Sequence, residues 1–182
     1  MPVRKMMLGT LLICLGLTVH AYALDCSTQN SGHWIICSMH FEFEDGTISV
    51  AKVSNKYHDH SMGAHATKTG GLIFFATENN IFSGTIKLEV DGEKPITFDY
   101  HSPMANVGEE ICDNYFTNGK RSMAFIAFEF KLKSKGLQLY NQLIKGKEIK
   151  LKYKPFFKDA MVVFFTLEGA RDAINTLRNN LE

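Results

Sequence analysis

The last third of the chain constrains its fold most, because strand and helix periods follow each other closely there. Residues 148–154 alternate strictly between charged and apolar side chains, which is typical of a strand with one solvent-facing side. Residues 160–167 are apolar almost throughout and rich in Val and Phe, as in a strand that is covered on both faces. From Ala170 to Leu181 the apolar residues recur at helical spacing. This segment therefore predicts two strands followed by a C-terminal helix that packs on the core.

Two-residue periods continue through the rest of the chain and are separated by turn signals. Asp45-Gly46 and Asp91-Gly92 are typical of β-hairpin turns. Residues 137–144 have the spacing of one further short helix. The predicted strands are residues 34–43, 47–53, 72–77, 85–90, 95–100, 123–132, 148–154 and 160–167. The fold class that follows is mainly β: a single antiparallel β-sandwich with one or two short helices, including the C-terminal helix.

The first 23 residues have the pattern of a signal peptide. Arg4 and Lys5 precede the apolar run at residues 6–19, and Ala21-Tyr22-Ala23 is a small-x-small cleavage pattern. An uncleaved membrane anchor and a lipoprotein are the alternatives, although the apolar run is too short to cross a bilayer comfortably. We therefore predict a signal peptide at residues 1–23, one β-sandwich domain at residues 24–182, and a periplasmic or secreted location.

The charge balance of the predicted mature chain is close to neutral. The first 23 residues hold two basic residues and no acidic one, which leaves 18 basic and 19 acidic residues and a net charge of −1. This balance argues against nucleic acid as a partner, because phosphate binding favours a basic surplus. No second apolar run is long enough for an integral membrane segment after signal removal.

The lysines of the C-terminal half are the one local concentration of charge. We interpret them as the solvent-exposed face of strands and a helix. The alternative is a basic patch that binds an acidic protein or an anionic lipid. They are Lys131, Lys133, Lys135, Lys145, Lys147, Lys150, Lys152 and Lys154.

Three cysteines follow the predicted signal peptide, an odd number for an oxidising compartment. We predict a disulfide between Cys26 and Cys37, which would tie the N-terminal segment to the first strand. A disulfide between Cys37 and Cys112 is the alternative. The remaining thiol is then either buried and inert or paired with another chain.

Three histidines lie within eight residues in the polar segment 54–71. Imidazole nitrogens are ligands for zinc or copper, so the candidate metal site consists of His58, His60 and His65, with Asp59 as a partner for one ring. A solvated loop whose histidines bind nothing, or sense pH, is the competing interpretation. Because the segment contains glycine and would have to be ordered on binding, we predict no cofactor and at most weak binding of copper or zinc.

Catalytic motifs are absent from the sequence. It has no nucleotide-binding glycine pattern, no serine elbow and no zinc-protease helix motif. Glu109, Glu110 and Asp113 surround Cys112 and would raise a thiol pKa, which disfavours a nucleophilic role. We predict no catalytic residues and no enzymatic activity.

The order of several short motifs resembles the invasion-associated locus B family of exported bacterial proteins. The resemblance lies in Trp34-Ile35-Ile36-Cys37, in residues 84–92 (GTIKLEVDG), in Leu143-Ile144-Lys145-Gly146-Lys147 and in residues 166–177 (TLEGARDAINTL). It implies an immunoglobulin-like sandwich, an exported location and a role at the envelope or host interface, and it implies no known reaction. The family tends to have a cysteine pair after its central hairpin, whereas Cys112 stands alone in this chain.

The function that follows from these observations is partner binding. We expect an exported, non-enzymatic β-sandwich protein that contacts an unidentified protein partner through the long loops at residues 54–71 and 101–120. The alternatives are a periplasmic copper- or zinc-binding protein that uses the His58–His65 segment, and a periplasmic inhibitor or immunity protein.

Overall fold

The computed structural model describes residues 24–31, 33–40, 47–101, 112–117 and 121–179. The predicted signal peptide and the Asp45-Gly46 turn lie outside these residues. The helices are α1 (Lys135–Leu143) and α2 (Ala170–Asn179). The strands are β1 (Leu24–Ser31), β2 (Trp34–His40), β3 (Thr47–Ser54), β4 (His60–Ala66), β5 (Gly70–Thr77), β6 (Phe82–Val90), β7 (Ile96–Asp99), β8 (Phe116–Thr117), β9 (Met123–Glu129), β10 (Glu148–Pro155) and β11 (Met161–Thr166).

The strands form two antiparallel sheets. The first has seven strands in the order β1-β2-β3-β4-β5-β9-β8, and the second has four in the order β11-β10-β6-β7. Each neighbouring pair of strands is antiparallel. The predicted fold class, a mainly β protein with two antiparallel sheets and a C-terminal helix, is confirmed.

The main core lies between the two sheets. Alternating residues of the first sheet, such as Trp34, Met62 and Phe75, point inward and meet the apolar sides of β6, β10 and β11. Two contacts cross the core directly: the Trp34 indole N–H donates to the Thr166 carbonyl oxygen at 3.2 Å, and the rings of Phe75 and Phe165 lie 6.1 Å apart. Burial of apolar surface between the sheets is therefore the main stabilising contribution.

The helices close the two sides of this core. Helix α2 packs on β1 to β4, and helix α1 packs on β9 and β7. Helix α1 begins at the N-cap Ser134, whose hydroxyl oxygen accepts from the Leu137 amide at 3.2 Å. Helix α2 has Asp172 in its first turn and Arg178 in its last, which complements the helix dipole. No helix in the described part of the chain is long and apolar enough to cross a bilayer.

The outer side of the seven-stranded sheet also carries buried apolar residues. They form a second cluster of Cys37, Val50, Leu72, Phe74, Cys112, Phe116, Phe125 and Ala127. Gly63 on β4 lies against Phe74 of this cluster, and a Cβ at Gly63 would collide with the Phe74 ring and the Ala51 carbonyl oxygen. Gly63 is therefore required for the close approach of β3, β4 and β5.

Three strands lie where the sequence predicted turn-rich or loop segments. The prediction of one long loop at residues 54–71 is wrong, because residues 60–66 form β4, which pairs with both β3 and β5. Residues 24–31 form β1, and residues 116–117 form the short strand β8 inside the second predicted loop. The polar and small residues of β4 hide its strand character, since Ser61, Gly63 and His65 share one face and Met62, Ala64 and Ala66 share the other.

Candidate functional site

Three turns meet at one end of the sandwich, and we call this region the turn end. It consists of the β3–β4 turn (residues 55–59), the β5–β6 turn (residues 78–81) and the β10–β11 turn (residues 156–160). Backbone hydrogen bonds join the three turns: the Glu78 amide donates to the Asp59 carbonyl oxygen at 3.2 Å, and the Phe156 amide donates to the Ile81 carbonyl oxygen at 3.3 Å. The turns therefore form one continuous surface.

A lysine fastens the β10–β11 turn to the β5–β6 turn. The Lys158 ammonium donates to the Asn79 carbonyl oxygen at 3.2 Å and to Asn80 Oδ1 at 2.8 Å. Lys158 also lines a shallow, open depression of about 590 Å³ together with Lys154, Phe157 and Asp159. The hydrogen bonds hold the β10–β11 turn in one position above the β5–β6 turn.

The turn end exposes four large apolar side chains. Tyr57 is 78% exposed and Phe157 is 94% exposed, and Ile81 and Phe156 are about half exposed. The rings of Phe156 and Phe157 meet edge to face with centroids 4.2 Å apart. Phe157 has a φ of 60°, in the left-handed region that costs a bulky residue free energy. The turn end therefore exposes an aromatic side chain on a backbone conformation that bulky residues rarely adopt.

A buried polar network lies directly beneath the turn end. His60, on β4, points into the core, and its Nε2 lies 2.7 Å from the hydroxyl oxygen of Tyr153 on β10. Its Nδ1 lies 2.9 Å from Asp59 Oδ1. In the tautomer with the proton on Nδ1, that N–H faces the Asp59 carboxylate, which can only accept when ionised, and Nε2 accepts from the Tyr153 hydroxyl; the other tautomer reverses the roles of Nε2 and the hydroxyl. The network joins the two sheets at this end of the molecule.

Asn55 organises the β3–β4 turn around this network. Its side-chain amide donates to Asp59 Oδ1 at 2.7 Å, and its Oδ1 accepts from the His60 amide at 3.2 Å. Hydrogen bonding from His60, with that from Asn55, lowers the pKa of the Asp59 carboxyl below its ordinary value of 3.8. Burial raises the pKa of the Tyr153 hydroxyl to about 12, so the phenol stays neutral at physiological pH.

The network is unsuited to catalysis on a bound substrate. The chain of contacts from the Asp59 carboxylate through the His60 ring to the Tyr153 hydroxyl resembles a nucleophile with its base. However, His60 and Tyr153 are each only 2% exposed. A substrate cannot reach either reacting atom without opening the core. The arrangement therefore serves to hold the β3–β4 turn against the second sheet.

The structure does not bring the three predicted metal ligands together. His58 lies exposed in the β3–β4 turn with a φ of 60°, and His60 points into the core. His65 lies on the opposite face of β4, where its Nδ1 donates to the Ser49 carbonyl oxygen at 2.8 Å. Within the described residues, no three His, Cys, Asp or Glu side chains are grouped to hold a metal ion. Weak binding of copper or zinc stays a prediction.

The cysteines lie in the first sheet and beside it. The β1–β2 register pairs Asp25 with Ser38 and then shifts before Gln29, so the backbone of Cys26 lies beside the strand that carries Cys37. The side chain of Cys26 is outside the described part of the structure, and the Cys26–Cys37 disulfide stays a prediction. Cys37 and Cys112 are both buried. Both belong to the second apolar cluster, and the structure forms no disulfide between them; that pairing stays the alternative prediction.

The exposed aromatic pair is the feature that sequence reasoning missed. Phe156 and Phe157 stand directly after Pro155, between two strand patterns, and a turn at that position leaves them no core to enter. Two adjacent aromatic residues in a predicted turn are therefore the signal that finds this surface.

The fold and the turn end together define a mainly β protein of two antiparallel sheets with a cluster of exposed apolar side chains on its turns. In comparisons with known proteins, no family model, no curated protein and no solved structure matches the chain.

Proposed function

We propose that this is an exported, non-enzymatic β-sandwich protein that binds a protein partner through its turn end, at the envelope or host interface. The observation that carries the proposal is the cluster of exposed apolar side chains on three hydrogen-bonded turns: Tyr57, Ile81, Phe156 and Phe157. The signal-peptide pattern at residues 1–23 and the resemblance of the motif order to the invasion-associated locus B family support the exported location.

The chemistry of the turn end suits a protein partner. Large aromatic side chains supply much of the binding free energy at protein interfaces because they bury a large area with few rotatable bonds. The turn end holds these anchors in place before binding, since Lys158 and two backbone hydrogen bonds fix the turns to each other. Less conformational entropy is then lost on association.

The test is affinity capture from envelope and host-cell extracts, followed by measurement of Kd with the purified partner. We expect the double variant Tyr57→Ser, Phe157→Ser to lose at least about tenfold in affinity, because one interface anchor contributes about 2 kcal/mol. The matched control is Ile35→Ser, which removes another exposed apolar side chain, on β2 and outside the turn end. A partner that binds the double variant as tightly as the wild type would place the contact surface elsewhere.

A further inference from the structure

The outer face of the four-stranded sheet concentrates lysines on two neighbouring strands. Lys150, Lys152 and Lys154 alternate with buried residues along β10, and Lys87 projects from the same face of β6. The register places Lys152 directly opposite Lys87. Lys87 and Lys152 thus lie about one strand spacing apart, roughly 5 Å, and Lys150 and Lys154 lie about 7 Å to either side of Lys152 along β10.

These lysines are only partly neutralised. Lys150 pairs with Glu89 at 2.8 Å, whereas Lys87, Lys152 and Lys154 form no ion pair within the described part of the chain. The other acids of this face stand at its margins: Asp99 on the edge strand β7, where it accepts from the Thr85 hydroxyl at 2.7 Å, and Glu148 at the start of β10.

The Lys152–Lys87 pair has a cost for folding. Like charges directly opposite each other on antiparallel strands are destabilising, and no acid stands in the row that runs through Val162, Lys152, Lys87 and Thr97. An anionic surface placed against the face removes this repulsion. The register therefore favours an anionic binding partner.

Apolar side chains lie in line with the lysines. On the adjacent edge strand β11, Val162 stands opposite Lys152 and Phe164 stands opposite Lys150. Both project from the outer face, with Val162 47% exposed and Phe164 50% exposed. Lysines that border exposed aliphatic and aromatic groups are the composition that binds at the boundary between lipid headgroups and acyl chains.

We propose that this face, made of Lys87, Lys152, Lys154, Val162 and Phe164, binds the surface of an anionic lipid membrane. A lipid surface supplies many phosphates and an apolar layer without requiring a matching pocket, and the face is an open strand surface. The carboxylates of an acidic protein would pair with the lysines, but they would offer no apolar surface to the adjoining Val162 and Phe164. Lys87, Lys152, Val162 and Phe164 lie away from the turn end, whereas Lys154 lies beside it and lines the open depression with Phe157 and Lys158.

The test is co-sedimentation of the mature protein with phosphatidylcholine vesicles, with and without about one-third phosphatidylglycerol. We expect binding to the anionic vesicles only, and its loss at about 0.5 M NaCl, because salt screens these exposed charges. The variant Lys87→Gln, Lys152→Gln, Lys154→Gln should weaken vesicle binding on the order of 100-fold, at about fivefold for each lysine near an anionic surface. Phe164→Ser should weaken the binding that remains at intermediate salt.

The matched control is Lys131→Gln, Lys133→Gln, Lys145→Gln, which removes the same charge from exposed positions elsewhere. Vesicle binding of this control should stay within about twofold of wild type, since only charges near the membrane surface contribute. The proposal is overturned if the wild type ignores anionic vesicles, or if it binds phosphatidylcholine equally well. Equal losses in both lysine variants would also overturn it, and binding to polyglutamate without binding to vesicles would assign the face to an acidic protein.

Discussion

At the scale of single residues, the contact between His60 and Tyr153 is the polar interaction on which the turn end most depends. A buried hydrogen-bonding group that loses its partner costs more free energy than an exposed one, because water cannot replace the bond. Both side chains are almost fully buried, and they come from different sheets.

The variant Tyr153→Phe tests this dependence. It removes the hydroxyl that lies 2.7 Å from His60 Nε2 and keeps the ring that packs on Phe82 at 4.7 Å. We expect the free energy of unfolding in urea to fall by about 1–3 kcal/mol, the cost of leaving a buried group unsatisfied.

The control is Tyr140→Phe, a buried tyrosine whose ring stacks on Phe128 at 4.5 Å and has no such hydroxyl contact in the described structure. We expect this change to be within about 0.5 kcal/mol of the wild type. Equal effects of the two substitutions would show that His60 draws no stability from the Tyr153 hydroxyl.

At the scale of elements, the regular strands and helices could be predicted from the sequence, and the irregular strand could not. The alternation of residues 148–154 predicts strand β10, and the apolar spacing of residues 170–181 predicts helix α2. Both patterns are clear because one face of each element is exposed to solvent. Strand β4 is enclosed by β3 and β5, so its small residues reflect the tight fit of Gly63 against Phe74 rather than a hydrophobic pattern. The need for small residues where β4 packs between its neighbours produces no periodic hydrophobic pattern in the sequence, so sequence analysis does not detect the strand.

The same reasoning explains the outcome for the candidate sites. Clustering in sequence suggested that His58, His60 and His65 act together, but strand alternation sends His60 and His65 to opposite faces of β4. The turn end could not be predicted as a unit, because its three turns are far apart in sequence and meet only through the sheet topology.

Helix α2 makes the sharpest prediction at this scale. Leu177 is buried where the helix meets β1 to β4, so Leu177→Asp should lower the free energy of unfolding by several kcal/mol, on the order of 3, through the lost apolar burial and the unpaired charge. Asn175→Asp adds the same charge on the exposed side of the helix and should change stability by less than about 0.5 kcal/mol. Thermal melts of both variants decide the matter, and an unchanged Tm for Leu177→Asp would mean that the helix contributes nothing to the core.

At the scale of the whole molecule, the two sheets and both helices share one core. The main cluster of buried residues includes side chains from both sheets and from α1 and α2. Each face of this core therefore depends on the other, because removing one sheet would expose the apolar side of its partner to water. The arrangement predicts that the sheets unfold together.

Trp34 provides a direct measurement of that cooperativity, since it is the only tryptophan in the chain. It is fully buried on β2, and its indole N–H donates to the Thr166 carbonyl oxygen of the other sheet. Its fluorescence therefore reports separation of the sheets, whereas far-ultraviolet circular dichroism reports loss of the strands themselves. We expect the two urea-unfolding curves to coincide, as in a two-state transition. A fluorescence midpoint at clearly lower urea than the dichroism midpoint would show that the sheets separate before they unfold, and would refute a single cooperative core.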